Sequence, residues 1–408
     1  MFEPMSDLPS ERPSYGSSDL PPDPTSDLPS DPKSDLPPGL SSGPLYVPAL
    51  PARRSALAAY SRLHPRARAC VTPLWSIPPR VGGARAMGRM PPHPLDPDRT
   101  ALASHLRTAL RAIETAQRGR PAWVDAFHTE DGTEPLTAGP LAAESWLTAA
   151  GTPLRPVTGV ERAAWRQTAA AEAARLSGNG LGVRVFLTVP PDEGLRDAVG
   201  GLLTRIAFAH CPVDLLLDLG AVVDEHHPAE KWALRALGLL GPLHHWRTVV
   251  LLAGSFPRTF PEDYGAPLAE AHRFDWDVWH MLADGAEHPG PPVVHGDYGA
   301  AHTGSADSPT RAGGAPPWGV VRYTTERTFL LVRVPTQGPG HADTVRSLVR
   351  EIVHAEGFRG EEFSEGERWL ASCAAGAGPA GVGGPEAWAR AGHVQHMAQV
   401  VRALRRRL

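Results

Sequence analysis

The sequence predicts an α/β fold: a (β/α)8 TIM-like barrel behind a disordered N-terminal tail, with a hairpin and helices added at the C-terminal end. Three observations predict it. Short apolar segments alternate with amphipathic ones on a repeat of about 30 residues, as parallel strands with helical crossovers require. The strand-like segments, such as Val213-Asp214-Leu215-Leu216-Leu217 and Thr248-Val249-Val250-Leu251-Leu252, carry few polar residues, as strands covered on both faces do. Eight such units follow one another, which favours closure into a ring over an open sheet.

The tail stands apart from the repeat. Ser-Asp-Leu-Pro recurs at Ser6, Ser18, Ser26 and Ser34. Proline after each Leu removes a backbone donor, and the segment has little apolar surface to offset ordering entropy. Residues 1–43 are therefore expected to be disordered, and residues 44–408 to form a single barrel domain.

The expected elements then follow in order. Leu45 to Leu50 is a strand and Arg53 to Leu63 a helix. Cys70 to Ile77 is a second strand, closed by Pro78-Pro79, and a long helix runs from Asp98 to Gln117. Strands are expected at Ala122 to His128, Leu154 to Thr158, Leu181 to Thr188, Val213 to Leu219 and Thr248 to Ala253, with another beginning at Val293 to His295. Between them the spacing predicts helices at Pro140 to Ala149, at Glu161 to Leu176 (ended by Gly178), at Glu193 to Ala209, at Ala229 to Leu240 and at Phe274 to Leu282. Beyond a Gly-rich loop from Gly299 to Pro317, Gly319 to Thr324 and Thr328 to Val334 read as a hairpin, although the second could be the eighth barrel strand. A helix from Ala342 to Glu356 is expected to close the ring. The last helix, Pro385 to Leu408, ends in Arg405-Arg406-Arg407, which suits the negative end of its dipole.

Composition limits the function classes. The chain has 408 residues, 42% of them hydrophobic, enough for one large barrel core. Cys70, Cys211 and Cys373 lie far apart with no Cys-x-x-Cys, which argues against a disulfide framework or zinc ribbon and fits a reducing compartment. No apolar run reaches the roughly 18 residues of a membrane span, and no basic start precedes an apolar stretch. The expectation is a cytoplasmic protein with no membrane partner. Net charge is −4, and the tail holds more than its share of acid, so a strong field for steering nucleic acid is not expected. Lys33 and Lys231 are the only lysines. The abundance of arginine therefore reflects codon usage and is not read as phosphate binding.

Several familiar chemistries lack their parts. Lys33 is in the tail and Lys231 on a helix, so no strand-end lysine exists for Schiff-base or pyridoxal chemistry. The first strand offers Tyr46-Val47-Pro48 where metal-dependent amidohydrolases carry His-x-His. Strands four and seven end near Thr158 and Ser255, not on the paired glutamates of retaining glycosidases. Neither a Walker loop nor a Gly-x-Ser-x-Gly elbow is present. Gly376, Gly378 and Gly381 spell Gly-x-Gly-x-x-Gly after a helix rather than a strand, and read as a loop. No cofactor is assigned.

The order and spacing of several short motifs carry a resemblance. They are Tyr46-Val47-Pro48; Thr72-Pro73-Leu74 with Ile77-Pro78-Pro79; Gly254-Ser255-Phe256-Pro257; Asp275-Trp276 with Trp279; Gly296-Asp297-Tyr298-Gly299; Val321-Arg322-Tyr323-Thr324; Phe358-Arg359-Gly360 with Phe363-Ser364; and Trp388 with His393 and His396. Together they resemble the beta protein family of phage and bacteria, from Leu45 to the last helix and excluding the tail. The resemblance implies a shared site more than a particular reaction.

In a barrel of this kind, function gathers at the carboxyl ends of the strands. Those ends carry Asp125 with His128, Asp218, Ser255, and Asp297 with Tyr298. A carboxylate ending an apolar strand, as Asp218 does, needs a partner. Gly296 and Gly299 let backbone approach a ligand beside Asp297. The turn at Ser255 follows strand seven, where barrels often hold anions, and Arg322 could supply a forked donor to the same anion. Alternatively, Arg322 pairs with Asp297 and no ligand is needed. The expectation is one polar cleft built from Asp125, His128, Asp218, Ser255, Asp297, Tyr298, Arg322 and Tyr323, binding a small or polymeric anionic ligand. In a hydrolase or lyase version, Asp218 or Asp297 acts as base or metal ligand and Arg322 stabilises developing negative charge. A metal, if used, would be magnesium or manganese, although no metal ligands are assigned. The alternative is a non-catalytic interaction module of phage–host conflict, binding protein or nucleic acid. Trp276 and Trp279, three apart on a helix, are expected in the core, and His393 and His396 as packing or surface residues.

Overall fold

The computed structural model describes residues 43–79, 97–129, 151–258, 267–285, 291–305, 317–377 and 381–408. The tail expected over 1–43, all but its last residue, and the helix expected over 140–149 lie outside the described residues. Eight strands close a parallel barrel in sequence order: β1 (Tyr46–Pro51), β2 (Leu74–Ser76), β3 (Ala122–Asp125), β4 (Leu154–Thr158), β5 (Leu181–Phe186), β6 (Val213–Ala221), β7 (Thr248–Gly254) and β9 (Val293–Asp297). They are the eight segments expected from the apolar repeat. The ring closes where β9 pairs with both β7 and β1, Gly296 lying opposite Leu252 on one side and Val47 on the other.

Local chemistry sets the strand limits. β2 is shorter than expected because Pro73 has no N–H to give the ladder; upstream, Val71 makes only a single bridge to Tyr46. β3 stops at Asp125, because a 3-10 turn over Phe127–Thr129 follows. The crossovers are α1 (Arg54–Arg62) with the short α2 (Pro65–Arg68), α3 (Pro97–Gln117), α4 (Ala164–Ser177), α5 (Glu193–Ile206), α6 (Ala229–Leu240) and α7 (Phe274–Gly285). Gly178, in the left-handed region, ends α4, and Asp192 starts α5 by accepting the Leu195 N–H at 3.0 Å. None of the described helices is long and apolar enough to cross a membrane.

Inward and outward residues alternate along each strand. Val47, Ala49, Leu74, Trp123, Val157, Leu216, Val250, Leu252 and Tyr298 fill the barrel interior. Gly182 and Gly296 belong to this inner set, since a Cβ at Gly182 would lie 3.0 Å from Trp123 and one at Gly296 2.6 Å from Leu252. At the amino end of the barrel, the Trp123 indole donates to Asp214 at 2.9 Å, and Arg247 donates to the same carboxylate through Nε at 2.8 Å.

A second, three-stranded antiparallel sheet has the order β10 (Trp318–Thr324), β11 (Thr328–Pro335), β8 (Ala269–His272). β10 and β11 are the expected hairpin, so Thr328–Val334 is not the eighth barrel strand. β8, too short and too polar to stand out in the sequence, was not expected. One face of this sheet packs under α8 (His341–His354) and α9 (Glu365–Ala375), through Val321, Tyr323, Leu330, Val332, Val345, Val349 and Leu370. The other places Phe329 and Leu331 against Phe256.

The helix expected over Ala342–Glu356 therefore does not close the ring. The last helix, α10 (Pro385–Arg405), packs against α1, α2 and β1, and the residues after it reach α7, where Arg407 bonds Asp284. It stands between α7 and α1, where an eighth helix belongs, and it is buried on most of its surface. Gly392 lets it lie against β10, since a Cβ there would be 2.4 Å from Arg322 Cγ.

Trp123 fills the barrel base and satisfies Asp214. Trp123→Ala is expected to cost about 3–5 kcal/mol, measured as a lower urea midpoint.

Candidate functional site

Arg184 organises the carboxyl end of the barrel. It is the one charged residue of Leu181-Gly182-Val183-Arg184-Val185-Phe186, and alternation turns it inward. Its Nε and Nη2 donate to Asp218 Oδ2 at 2.8 and 2.5 Å, and its Nη1 to Asp125 Oδ2 at 2.7 Å. Nη2 also reaches the Tyr298 hydroxyl at 3.0 Å, and that hydroxyl donates to the Asp218 carboxylate at 2.6–2.7 Å. Arg162, from the loop before α4, donates to Asp125 Oδ1 at 2.9 Å. Backbone N–H groups complete the carboxylates: Phe127 donates to Asp125 at 3.0 Å, and Gly220 to Asp218 at 2.8 Å.

The four core groups are at most 8% exposed. Two arginines offset two aspartates, so the cluster is formally neutral. Burial opposes the charge of Asp125, but Arg162 and Arg184 outweigh it and hold its carboxyl below the usual range. Burial also works against Arg184, but Asp218, Tyr298 and Asp125 keep it protonated well beyond its ordinary value. Burial and the Asp218 charge push the Tyr298 phenol well up, so it keeps its proton.

Above this cluster lies a cavity of about 180 Å3, at the mouth formed by the strand ends and the turn at 301–305. Ser76, Phe127, His128, Arg184, Phe186 and Tyr298 are among its walls. The Phe127 and Phe186 rings lie 5.4 Å apart, and the guanidinium groups of Arg162 and Arg184 stack on them at 4.0 and 4.6 Å.

Of the residues expected to form one cleft, Asp125, His128, Asp218 and Tyr298 come together here. Asp297, Ser255, Arg322 and Tyr323 do not. Asp297 ends β9 and Tyr298 follows it directly, and the two face opposite ways: Tyr298 enters the barrel, while Asp297 leaves it toward α7 and α10. A single hollow holding both is thus ruled out by strand geometry.

Asp297 anchors a separate cluster outside the ring. Its Oδ1 accepts from the Tyr46 hydroxyl at 2.5 Å and from the Gly299 N–H at 2.7 Å. Gly299 has φ +61°, which brings its N–H back toward the carboxylate. The Oδ2 bonds His396 Nε2 at 2.8 Å, and the other nitrogen of that ring meets Thr324 Oγ1 at 3.0 Å. Burial opposes the Asp297 charge, yet His396 and His295 hold its carboxyl well below the ordinary range. His295 is enclosed by the rings of Tyr46, Trp276 and Trp279, which fixes both tryptophans as packing residues.

Asp275, His295 and Asp297 each place one donor atom within 4.8 Å of the others, a spacing that could hold a metal ion. Arg273, fully buried, puts Nη2 3.8 Å from Asp275 and 4.0 Å from Asp297. Its fixed positive charge already faces both carboxylates, so a divalent ion there would sit against a guanidinium. The charge balance favours an ion cluster over a metal centre.

The remaining expected residues have local roles. Ser255 Oγ accepts the Asp275 N–H at 2.6 Å and so caps the start of α7. The Tyr323 hydroxyl accepts the Arg359 N–H at 3.0 Å inside the core of the small sheet. Arg322 makes no ion pair with Asp297. It donates to the Ala300 carbonyl at 2.6 Å and lies over the Phe256 ring, and burial lowers its pKa to about 10. His393, on α10, is held neutral: burial first, then the Arg322 charge, lowers its pKa to about 3. Arg162 and Arg184 were missed by sequence reasoning, although a lone arginine inside a buried apolar strand is itself a signal that carboxylates face it.

Arg184→Met would leave Asp125 and Asp218 buried together. The expected loss is about 3–5 kcal/mol by urea unfolding, with Tyr298→Phe costing about 1–3 kcal/mol. His393 adds a pH dependence. Between its unfolded value of 6.5 and its folded value of about 3, only the unfolded chain takes up the proton. Stability should therefore fall as pH drops through that window, by up to about 1.4 kcal/mol per pH unit, and His393→Gln should flatten the slope.

The family model described as Beta protein matches residues 46–402, from β1 to the last turn of α10. No curated protein matches the chain. With the match covering the whole described barrel and its added layer, the chain belongs to the Beta protein family.

Proposed function

We propose that the protein binds a small polar ligand carrying an anionic group, in the cavity at the carboxyl mouth of the barrel. The observation that carries this reading is the buried Asp125–Arg184–Asp218–Tyr298 cluster, brought to charge balance by Arg162 on Asp125, which forms the floor of an open cavity. Such a cluster is costly to desolvate, and a hydrophobic barrel core would be at least as stable without it. Its position at the strand ends is where barrels carry their sites.

The donor inventory favours an anion. Four of the five N–H groups of Arg184 are committed to the cluster, which leaves one on Nη1. Arg162, whose Nη1 is buried with no partner among the described residues, lies behind the Phe127 wall and adds positive charge near the cavity. Phe127 and Phe186 offer apolar walls for the rest of the ligand. At about 180 Å3 the cavity is smaller than the roughly 300–1,000 Å3 of drug-sized pockets, so the ligand is small. If the protein is a hydrolase or lyase, Tyr298 is a neutral phenol beside the reacting group, and His128 and His302 are the imidazoles at the mouth. Arg322 takes no part in that chemistry.

The reading is tested by thermal unfolding with a panel of small carboxylates and phosphates, against neutral amides and alcohols of similar size. An anionic compound at about 100 times its Kd should stabilise the protein by about 2.7 kcal/mol. Ser305→Trp, at the half-buried rim, should abolish that shift without lowering the unliganded Tm. Stabilisation by neutral compounds only, or an unchanged shift in Ser305→Trp, would contradict the proposal.

A further inference from the structure

A second concave site lies at the opposite end of the molecule, and its chemistry differs. A groove of about 560 Å3 runs between the α1–α2 junction, the start of α9 and the last turns of α10. The α1–α2 junction leads into the amino end of β2, so the groove lies at the amino end of the barrel, away from the ligand cavity. Six arginines line it: Arg62, Arg66, Arg368, Arg402, Arg405 and Arg406. Glu362 and Glu365 are the acidic residues on its walls, and Arg62 pairs with Glu365. Six cations against two anions leave a formal excess of four positive charges. Among the described residues, Arg368, Arg405 and Arg406 make no ion pair.

The overall charge does not account for this concentration. The chain is net negative, and the six residues come from three distant segments: Arg62 and Arg66 at the α1–α2 junction, Arg368 on α9, and Arg402, Arg405 and Arg406 in the C-terminal basic run. The fold gathers them by laying α10 against α1 and α2. Crowding is visible at Arg402, whose pKa is lowered by burial, then by Arg359 and Arg406. Like charges held together cost stability unless anions balance them. Between the cations, the floor is apolar: Leu63, Phe363, Val394 and Val401.

We propose that this groove binds the phosphodiester backbone of a single-stranded nucleic acid. Guanidinium forks match phosphate oxygens two at a time. An apolar floor between them accepts sugars and base faces, the pairing of cationic track and apolar platform that single-strand sites use. The groove is recessed between helices, as the tracks that follow a single strand's backbone are. A purely acidic peptide would satisfy the arginines but leave the apolar floor without a matching partner.

The test is fluorescence anisotropy of the full-length protein with a fluorescein-labelled oligothymidylate, across a salt series. The exposed pair Arg368→Ala and Arg406→Ala is compared with Arg111→Ala and Arg235→Ala, exposed arginines outside the groove that lose the same charge. Glutamine replacements at Arg368 and Arg406 serve if the alanine pair fails to fold. Binding should weaken as salt rises, with a log–log slope of about −0.7 per neutralised phosphate. The groove pair should weaken binding by at least about tenfold and reduce the slope by about 1.4, whereas the control pair should change it by less than about twofold. Three outcomes would overturn the proposal: no binding at about 50 mM salt, equal losses from both pairs, or displacement of the oligonucleotide by polyglutamate as readily as by unlabelled strand.

Discussion

Arg184 is a cation enclosed by a ring of strands, and the upper half of the barrel is arranged around satisfying it. An unpaired guanidinium in that position would forfeit several kcal/mol of hydration, more than one apolar contact can return. Asp218 comes from the next strand, Asp125 from two strands back, and Tyr298 from just past the last strand. Asp218 and Asp125 lie within two strands of Arg184, whereas Tyr298, past β9, reaches it across the interior of the closed ring. The ionic cluster and barrel closure therefore depend on each other: the ring brings the partners together, and the cost of leaving any of them unpaired penalises open or misregistered sheets. The same cluster gives the cavity above it a rigid, hydrogen-bonded floor.

Alternation along β9 divides the polar residues into two communities. His295 and Asp297 point out, where Tyr46, Arg273 and His396 receive them. Gly296 and Tyr298 point in. Within one short strand and the residue after it, adjacent positions thus serve different layers, and no hydrogen bond among the described residues joins the two groups. The outer cluster ties β1, β9, the entrance to α7 and α10 into one unit. That role explains why so many ionisable groups are buried on the outside of the barrel without a cavity to serve.

The added layer is part of the ring and not an appendage. α10 takes the place of an eighth barrel helix, while α8 and α9 cover the small sheet. This arrangement carries the C-terminal arginines to the amino end of the barrel, opposite the mouth. The molecule consequently presents a neutral, partly aromatic cavity at one end and a cationic groove at the other, and the two can be altered independently.

The eight barrel strands, the crossover helices among the described residues and the hairpin were legible in the sequence because they rest on local physics: apolar runs, helical periodicity and the left-handed glycine after α4. Asp125, His128, Asp218 and Tyr298 were legible as strand-end residues for the same reason. Their partners were not. Which face of β9 carried Asp297, which helix closed the ring, and which carboxylates Arg184 would meet are questions of long-range register, and no local pattern encodes them. Sequence alone indicated that a ring of strands would form and that Asp125, His128, Asp218 and Tyr298 would stand at its carboxyl end. Tertiary structure alone decided which of them share a hollow, because a side chain's direction depends on strand register and its neighbours arrive from hundreds of residues away.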